Sequence, residues 1–479
     1  MKLAFLTLAA SVGLATTLTT ASPTPAVPTS PPSAADFDAY LKTAIESTGL
    51  PGLSVVVTRG DTVVHAAGYG RDSLGAAITE RTPMRVASLT KSFTAAAVMT
   101  LVEDGKIALD EPVASQLPGF RMADPRAGRI TVRHLLNQTS GLSDTTVDIG
   151  AAHATASLAD YVATLKAGTL RAEPGTRYEY CNVNFDLAAR LVEVAGGQSF
   201  GDYMRQHVFG MLGMSGSAVG DPTVKPADGF VSLYGAWLPR PEIRGFLNLG
   251  GSGGVITTAT DMGRWLMAQN GAGSTRLVTR ESLRTMHAPS AVHDYAMGWS
   301  EETLHGTPLL VHSGNLFTYS AVQAIAPGTG YGFAVMTNGT ALQDDTYTVL
   351  GGLVALSQGV TPEKPGGGRQ QIELTLGLIT AVSAGLGILG VARSRRWAAT
   401  YGTRRAWRIA VRLSPALAPL PVLAAYPDLI SFLMNGRTVT WEQLTYYPAL
   451  TITLGVMAAA GAATAASRLF RLRSVRSNR

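Results

Sequence analysis

Three long, mainly apolar runs in the last quarter of the chain limit its possible folds more than any other feature. They cover residues 374–392, 413–433 and 446–466, and the second carries Asp428 towards its end. The first run is uncharged, and its length is close to the roughly 20 residues that an α-helix needs to cross a bilayer. We therefore predict a membrane domain over residues 372–467 with three transmembrane helices.

Arginine is distributed unevenly around these runs. Residues 372–479 contain thirteen arginines, no lysine and only three acidic residues, so the remainder of the chain is net acidic although the total charge is +6. The basic character is therefore local, which leaves a nucleic-acid partner without support. All of these arginines except Arg437 follow the first or the third run, and by the positive-inside rule both segments are cytoplasmic, including a basic tail over residues 468–479. This orientation places the preceding domain outside the cell.

The N-terminus agrees with export. Lys2 precedes an apolar stretch and small residues that end near Ala21, as in a secretory signal peptide, although the sequence leaves open whether it is cleaved. Residues 22–33 are rich in Pro, Ser and Thr and predict an extended linker, and a second linker is expected over the Gly-rich residues 361–371. The localisation that follows is the cell membrane, with the domain between the linkers extracytoplasmic.

Residues 34–360 have the pattern of one globular domain. A helical pattern begins at Ala34, and apolar segments at 53–57 and 62–67 indicate a hairpin that turns at Gly60. Further strand patterns return only at 308–312, 321–325 and 332–336, with helical patterns in between. We therefore predict an α+β fold in which both ends of the domain build one sheet and the middle forms a helical insertion.

The motif Ser88-x-x-Lys91 stands at the start of one of these helical patterns. Residues three apart on a helix share a face, so the Lys91 amine can reach the Ser88 hydroxyl and accept its proton. Backbone N–H groups of the first turn would stabilise the oxyanion that forms on attack. The simpler alternative is that Ser88 only caps the helix and Lys91 is an exposed first-turn residue.

Two further motifs follow in order. Tyr180-x-Asn182 precedes another helical pattern, and His312-Ser313-Gly314-Asn315 ends a strand pattern. Together with the turns at 135–141, 174–175 and 295–299, these motifs resemble the class C β-lactamase and D-alanyl-D-alanine peptidase superfamily, over residues 34–358. The resemblance implies an antiparallel sheet flanked by helices with a helical lobe. The simpler alternative, that Tyr180 is only a buried tyrosine and Asn182 only a helix cap, would not explain why the three motifs occur in this order.

The resemblance also implies roles for these residues. Ser88 would attack a carbonyl, and Lys91 with Tyr180 would carry the proton to and from the leaving group. Asn182 would hold Lys91 and a substrate amide. The substrate-binding strand would contribute His312, Ser313, Gly314 and Asn315, with the oxyanion between the backbone N–H groups of Ser88 and Asn315.

His312 departs from the family pattern, in which a lysine usually precedes the small residue and the glycine. Imidazole has an ordinary pKa near ~6.5 and is mostly neutral at pH 7. It would therefore hold a substrate carboxylate less firmly than lysine and should gain that ability on acidification. This difference argues against penicillin hydrolysis and leaves peptidase or esterase activity open.

Other residues are expected to have no role in catalysis. Gly250-Gly251-Ser252-Gly253-Gly254 matches the nucleophile elbow of α/β-hydrolases but lacks a bulky strand before it, so Ser252 is not expected to be a nucleophile. The histidines show no paired ligand spacing, and Cys181 is the only cysteine. We therefore predict no metal, no cofactor and no disulfide, with Cys181 turned inward.

The sequence as a whole predicts a membrane-anchored extracytoplasmic serine hydrolase that acts through an acyl-enzyme. Its expected partners are the membrane and a small-molecule or peptide substrate, with D-alanyl cell-wall peptides and related amides or esters as the main candidates. Two alternatives stay open: an esterase of the same fold acting on small acyl esters, and a penicillin-binding sensor with little turnover.

Overall fold

The computed structural model describes residues 31–240, 250–273, 275–316, 318–433, 439 and 441–477. The signal peptide predicted over residues 1–21 and most of the linker predicted over 22–33 lie outside the described residues.

The strands all lie before residue 341 in the described part of the chain. They are β1 (Gly52–Arg59), β2 (Thr62–Gly70), β3 (Met84–Arg85), β4 (Ala218–Val219), β5 (Gly229–Leu233), β6 (Ala236–Arg240), β7 (Val255–Thr257), β8 (Ser300–Leu304), β9 (Thr307–Leu316), β10 (Tyr319–Ala326), β11 (Tyr331–Thr337) and β12 (Gly339–Thr340).

Most helices of the N-terminal region lie between β3 and β8. The α-helices are α1 (Ala34–Thr48), α2 (Thr90–Glu103), α3 (Val113–Gln116), α4 (Val132–Leu136), α5 (Ile149–His153), α6 (Leu158–Thr164), α7 (Asn182–Gly196), α8 (Phe200–Tyr203), α9 (Gly210–Leu212), α10 (Ala259–Gln269), α11 (Arg280–His287) and α12 (Asp345–Ser357). Short 3₁₀ helices cover Ala87–Leu89, Pro125–Arg129 and Leu165–Ala167, and a π-helical turn covers Met204–Phe209.

Both ends of the domain build the main sheet, as predicted. Its six antiparallel strands have the order β2-β1-β11-β10-β9-β8, and β1 pairs with β11 from Leu53↔Thr337 to Arg59↔Tyr331. Side chains alternate across a strand, so Val55 and Val57 pack with α1 and α12, whereas Val56 packs in the core that contains α2 and α10. The sheet is therefore covered by helices on both faces, and α3–α9 form the predicted helical lobe.

The last part of the chain is helical and corrects the expected number of membrane spans. Its helices are α13 (Gly368–Ala392), α14 (Ser394–Tyr401), α15 (Ala406–Leu417), α16 (Pro419–Ala424), α17 (Tyr426–Leu433), α18 (Trp441–Leu444) and α19 (Pro448–Ser477). Among the described residues only two helices are long and apolar enough to cross a membrane, Gly368–Ala392 and the Pro448–Val475 part of α19.

The prediction of three spans was wrong because of proline in the second apolar run. Proline lacks a backbone N–H and its ring clashes with the preceding turn, so it interrupts a helix. Residues 413–433 contain four prolines and divide among α15, α16 and α17. The long helices α13 and α19 pack closely through small residues, since a Cβ on Gly387 would lie 2.6 Å from the Cβ of Ala460.

The first two turns of α13 are anchored in the N-terminal domain by two charged side chains. Arg369 is 2% exposed and donates from its guanidinium to the Ser232 hydroxyl at 2.9 Å and to the Thr48 carbonyl at 3.0 Å. Its Nε lies 3.5 Å from a carboxylate oxygen of Asp345. The Glu373 carboxylate accepts the backbone N–H of Tyr234 at 2.6 Å. The start of this apolar helix is thus part of the domain's packing.

Candidate active site

Ser88 lies in the 3₁₀ turn that leads into α2. Ala87, directly before it, has φ = 49°, a left-handed conformation that is strained for a residue with a side chain. Strand β9 packs against this turn, and a Cβ on Gly314 would lie only 2.5 Å from the Val86 carbonyl oxygen and 2.9 Å from the Ser88 nitrogen. Only glycine fits at position 314, because a side chain would push the strand away from Ser88.

Lys91 is completely buried one turn further along, and its ammonium lies at the centre of the candidate site. Its Nζ donates to the Ser88 hydroxyl oxygen at 3.1 Å, to the Asn182 side-chain carbonyl at 2.9 Å and to the Ser252 backbone carbonyl at 2.8 Å. It also lies 4.8 Å from the centre of the Tyr180 ring. A buried cation thus joins the first two sequence motifs, which are 91 residues apart.

The loop at Gln138 positions Tyr180 and Asn182. The Gln138 side-chain oxygen accepts the backbone N–H of Cys181 at 3.0 Å, and its backbone carbonyl accepts the N–H of Glu179 at 2.9 Å. These bonds hold the chain extended before α7 begins at Asn182. Cys181 is buried as expected, and its thiol donates to the Asp144 carboxylate at 3.2 Å.

The third motif occupies the end of β9, beyond the residues that pair with β8. Strand β8 pairs with β9 only as far as Val311, and the Ser88 turn lies beside the residues that follow. Ser313 and Asn315 are exposed, whereas His312 and Gly314 are buried. The Asn315 side-chain oxygen accepts from the Ser320 hydroxyl at 2.7 Å. The structure therefore brings the predicted residues of all three motifs into one cluster.

His312 differs from the sequence expectation in its charge. Burial, together with the nearby Lys91 ammonium, lowers its pKa to about 3. The ring is therefore neutral: Nδ1–H donates to the Ser313 carbonyl at 2.7 Å, and Nε2 accepts from the Tyr295 hydroxyl at 3.1 Å. The expected protonation near the ordinary imidazole pKa was wrong, because that expectation ignored burial.

Ser252, which the sequence analysis does not expect to be a nucleophile, contributes a backbone contact to the candidate site. It is 3% exposed and lies in the glycine-rich turn before β7 and α10. Its backbone carbonyl, rather than its hydroxyl, contacts Lys91. The helix that follows, α10, is capped by Thr258, whose hydroxyl accepts the N–H of Asp261 at 3.1 Å.

Two aromatic residues near the site were missed by the sequence reasoning. The Tyr295 hydroxyl contacts His312, and Tyr178 stacks on His293 with ring centres 3.7 Å apart. Tyr295 belongs to the Tyr-Ala-Met-Gly-Trp turn that supported the family resemblance, and this turn was the available signal. Tyr178 carried no comparable signal. Within the described residues, no group of three or more His, Cys, Asp or Glu could hold a metal ion.

The fold and this cluster together place a serine hydroxyl beside a buried lysine, next to a six-stranded antiparallel sheet covered by helices. The chain belongs to the beta-lactamase family, because the family model described as Beta-lactamase matches residues 37–352, more than half of the chain. Its C-terminal helices lie beyond the matched region.

Known relatives agree with this assignment. The chain is 30% identical over 333 residues to penicillin-binding protein 4 of Amycolatopsis lactamdurans. The matched region covers 64% of this chain and 86% of that protein. It is 26% identical over 317 residues to Protein flp of Staphylococcus aureus (strain MW2), which covers 63% of this chain. The match spans 62% of the length of that staphylococcal relative.

Solved structures show the same fold at lower identity. A beta-lactamase/D-alanine carboxypeptidase from Pseudomonas syringae has a TM-score of 0.58 at 19% identity, covering 67% of this chain and 97% of that chain. A D-amino acid amidase from Ochrobactrum anthropi SV3 has a TM-score of 0.56 at 21% identity, covering 68% of this chain and 99% of that chain.

Proposed function

We propose that Ser88 is the nucleophile of an acyl-enzyme mechanism. The observation that carries this proposal is the 3.1 Å contact between the Ser88 hydroxyl oxygen and Nζ of the fully buried Lys91. The Ser88 oxygen bonds to the substrate's carbonyl carbon, and its proton passes through Lys91 and Tyr180 to the leaving group as the bond to that group breaks. Water then releases the acyl group by the reverse sequence.

The remaining predicted residues bind and stabilise the substrate in this mechanism. The oxyanion lies between the backbone N–H groups of Ser88 and Asn315, which the close packing of Gly314 on the Ser88 turn supports. Asn182 orients Lys91 and forms a hydrogen bond with a substrate amide, as donor or as acceptor. The unpaired edge of β9 around Ser313 offers backbone groups to an extended substrate, in the manner of an added strand.

The substrates that we propose are D-alanyl peptides and related amides or esters. The named activities of the relatives, penicillin-binding protein 4 and D-amino acid amidase, support acyl compounds of this kind. The neutrality of His312 favours a second candidate within the same mechanism, an esterase or amidase for substrates without a free carboxylate, because neutral imidazole supplies no positive charge.

Labelling with a fluorescent penicillin and a fluorophosphonate, with mass spectrometry to locate the adduct, tests the nucleophile. We expect the adduct on Ser88 and loss of labelling in Ser88→Ala, whereas Ser115→Ala, a change at an exposed serine, keeps the wild-type rate. An adduct on Ser252, or labelling that survives Ser88→Ala, would overturn the assignment. Labelling at Ser88 without multiple turnover of any amide or ester would support the sensor alternative.

We also propose that α13 anchors the protein in a membrane with the hydrolase domain outside the cell. The apolar length of α13 and the arginines 393, 395 and 396 directly after it support this orientation. The single cysteine, Cys181, is fully buried, so the wild type provides a silent background for cysteine labelling.

A membrane-impermeant maleimide applied to intact cells tests this orientation. It should label Leu74→Cys, which replaces a side chain 82% exposed on the domain, and should label Arg395→Cys only after the cells are lysed. Labelling of Arg395→Cys in intact cells would contradict the proposed orientation.

A further inference from the structure

Asp186 is a fully buried carboxylate near Lys91, and the mechanism above does not use it. It lies on α7 four residues after Asn182, so the two side chains share a face of the helix. Asn182 contacts the Lys91 ammonium directly, whereas Asp186 lies one turn further along the helix.

Hydrogen bonds connect Asp186 to Lys91 through a single residue. The Asp186 Oδ1 accepts the backbone N–H of Ser252 at 3.0 Å, and the backbone carbonyl of Ser252 accepts from Lys91 Nζ at 2.8 Å. The neighbouring residue Gly251 is held from the other side, since its carbonyl accepts the Thr94 hydroxyl at 2.7 Å. The position of the Ser252 carbonyl against Lys91 therefore depends on a turn clamped between α2 and α7.

The negative charge of Asp186 is not needed for this hydrogen bond. An asparagine oxygen could accept the same N–H, and a buried carboxylate costs more free energy than a buried amide. Burial raises the pKa of Asp186 to about 6, while Ser252 and the Lys91 charge act in the opposite direction. The carboxylate is therefore ionised at neutral pH, beside a buried cation that has to exchange a proton.

We propose that Asp186 is a positioning residue that holds the Ser252 carbonyl against Lys91 and, through its charge, favours the ammonium form of Lys91. This inference rests on the proposed roles of Ser88 and Lys91. A nearby negative charge makes the amine a stronger base but leaves less of it unprotonated at a given pH. Asp186 thus sets the pH range in which Ser88 is activated.

Several other titratable groups surround this pair, and two of them, Tyr161 and His312, stay neutral at ordinary pH. Burial raises the pKa of Tyr161 on α6, and burial lowers that of His312 on β9. The surrounding groups are Tyr161, His312, Tyr180, Cys181 and Asp144. These groups are the same in wild type and in Asp186→Asn. A difference between the two proteins in the pH dependence of labelling therefore reports the removed charge.

The test is the second-order rate of fluorophosphonate labelling of the full-length protein between pH 5 and pH 9. In Asp186→Asn the hydrogen-bond acceptor remains and the charge is lost. The acidic limb of the plot of labelling rate against pH should therefore shift to lower pH by roughly half to one unit. The plateau at high pH should fall about two- to fivefold, because the base is weaker. Asp186→Ala also leaves the Ser252 N–H without its acceptor, and labelling should slow by at least about tenfold at every pH.

Asp261→Asn is the matched control. Asp261 is 2% exposed and accepts a backbone N–H from Gly216 at 2.8 Å, and the cation that it contacts is Arg264. Its profile should keep the wild-type acidic limb.

An Asp186→Asn profile that superimposes on the wild-type profile would overturn the inference, whether or not Asp186→Ala folds. A wild type that carries no adduct on Ser88 would instead overturn the proposed function itself, so the two failures are distinguishable.

Discussion

Two regions of the molecule bury a basic side chain, and they use it differently. Lys91 in the candidate active site and Arg369 at the start of α13 are almost completely buried, each near an aspartate whose pKa burial raises to about 6. Those aspartates are Asp186 and Asp345. Lysine is a compact amine that can lose its proton, whereas the guanidinium of arginine stays charged at any ordinary pH.

The contacts of the two cations match this difference. Lys91 donates to a serine hydroxyl, an amide side chain and a backbone carbonyl, all neutral acceptors. Arg369 contacts four separate elements through Thr48, Ser232, Asp345 and the ring of Trp237, 4.5 Å away. In the proposed mechanism the first site is arranged around a proton that moves, whereas the second holds a fixed charge that joins the domain to its apolar helix.

Replacing Lys91 by arginine should have the largest effect of the changes that test this difference between the two sites. Arginine keeps the positive charge but cannot accept the Ser88 proton, so we expect Lys91→Arg to slow fluorophosphonate labelling by at least about 10³-fold at pH 8. Arg369→Lys is the reciprocal control and should label within about threefold of wild type. Labelling of Lys91→Arg within tenfold of wild type would show that this charge, and not its proton, is what Ser88 requires.

Removing the charge of Arg369 tests the other half of the comparison. Arg369→Leu leaves the buried carboxylates of Asp345 and Glu373 without their cation, which should cost about 3–5 kcal/mol of stability. We expect a clear drop in Tm for the detergent-solubilised protein, with the labelling rate of the folded protein nearly unchanged. A Tm equal to that of wild type would mean that the junction does not depend on this side chain.

The raised pKa of Asp345 predicts a smaller, pH-dependent effect. Its folded-state value of about 6 exceeds the ordinary aspartate value, so the folded state binds the extra proton between about pH 4 and pH 6. Stability from this group is therefore present below about pH 4 and is lost as the pH rises through 6, by up to about 3 kcal/mol. The Tm of wild type minus that of Asp345→Asn should fall over this interval, and a constant difference would contradict the assignment.

The smallest effect is expected from the titration of His312, which lies close to Lys91. Because its pKa is about 3, it stays neutral between pH 7 and pH 5. The ratio of kcat/KM for a D-alanyl peptide to that for its methyl ester should change by less than about twofold over this range. A ratio that rises steeply on acidification would show that His312 gains a proton in the substrate complex.

Local patterns were sufficient to predict much of the fold and the candidate site. The hairpin of β1 and β2, the late strands and the helix after Ser88 follow from side-chain periodicity and glycine at turns. The three motifs of the candidate site could be found because each lies within a few consecutive residues. Asp186 and Tyr295 could not be assigned in this way, since their contacts join residues 66 and 17 positions apart.

The sequence by itself determined which side chains are available for the proposed chemistry, because the hydroxyl groups of Ser88 and Tyr180 and the amine of Lys91 belong to the residues themselves. The spacing of Ser88 and Lys91 also determined that the two lie within one helical turn. Only the tertiary structure decided the charge of His312 and the course of the apolar C-terminal runs. Burial set the neutral state of His312, and four prolines together with helix packing divided the expected second span into α15, α16 and α17. Desolvation and packing depend on which segments meet in space, and a linear pattern does not contain that information.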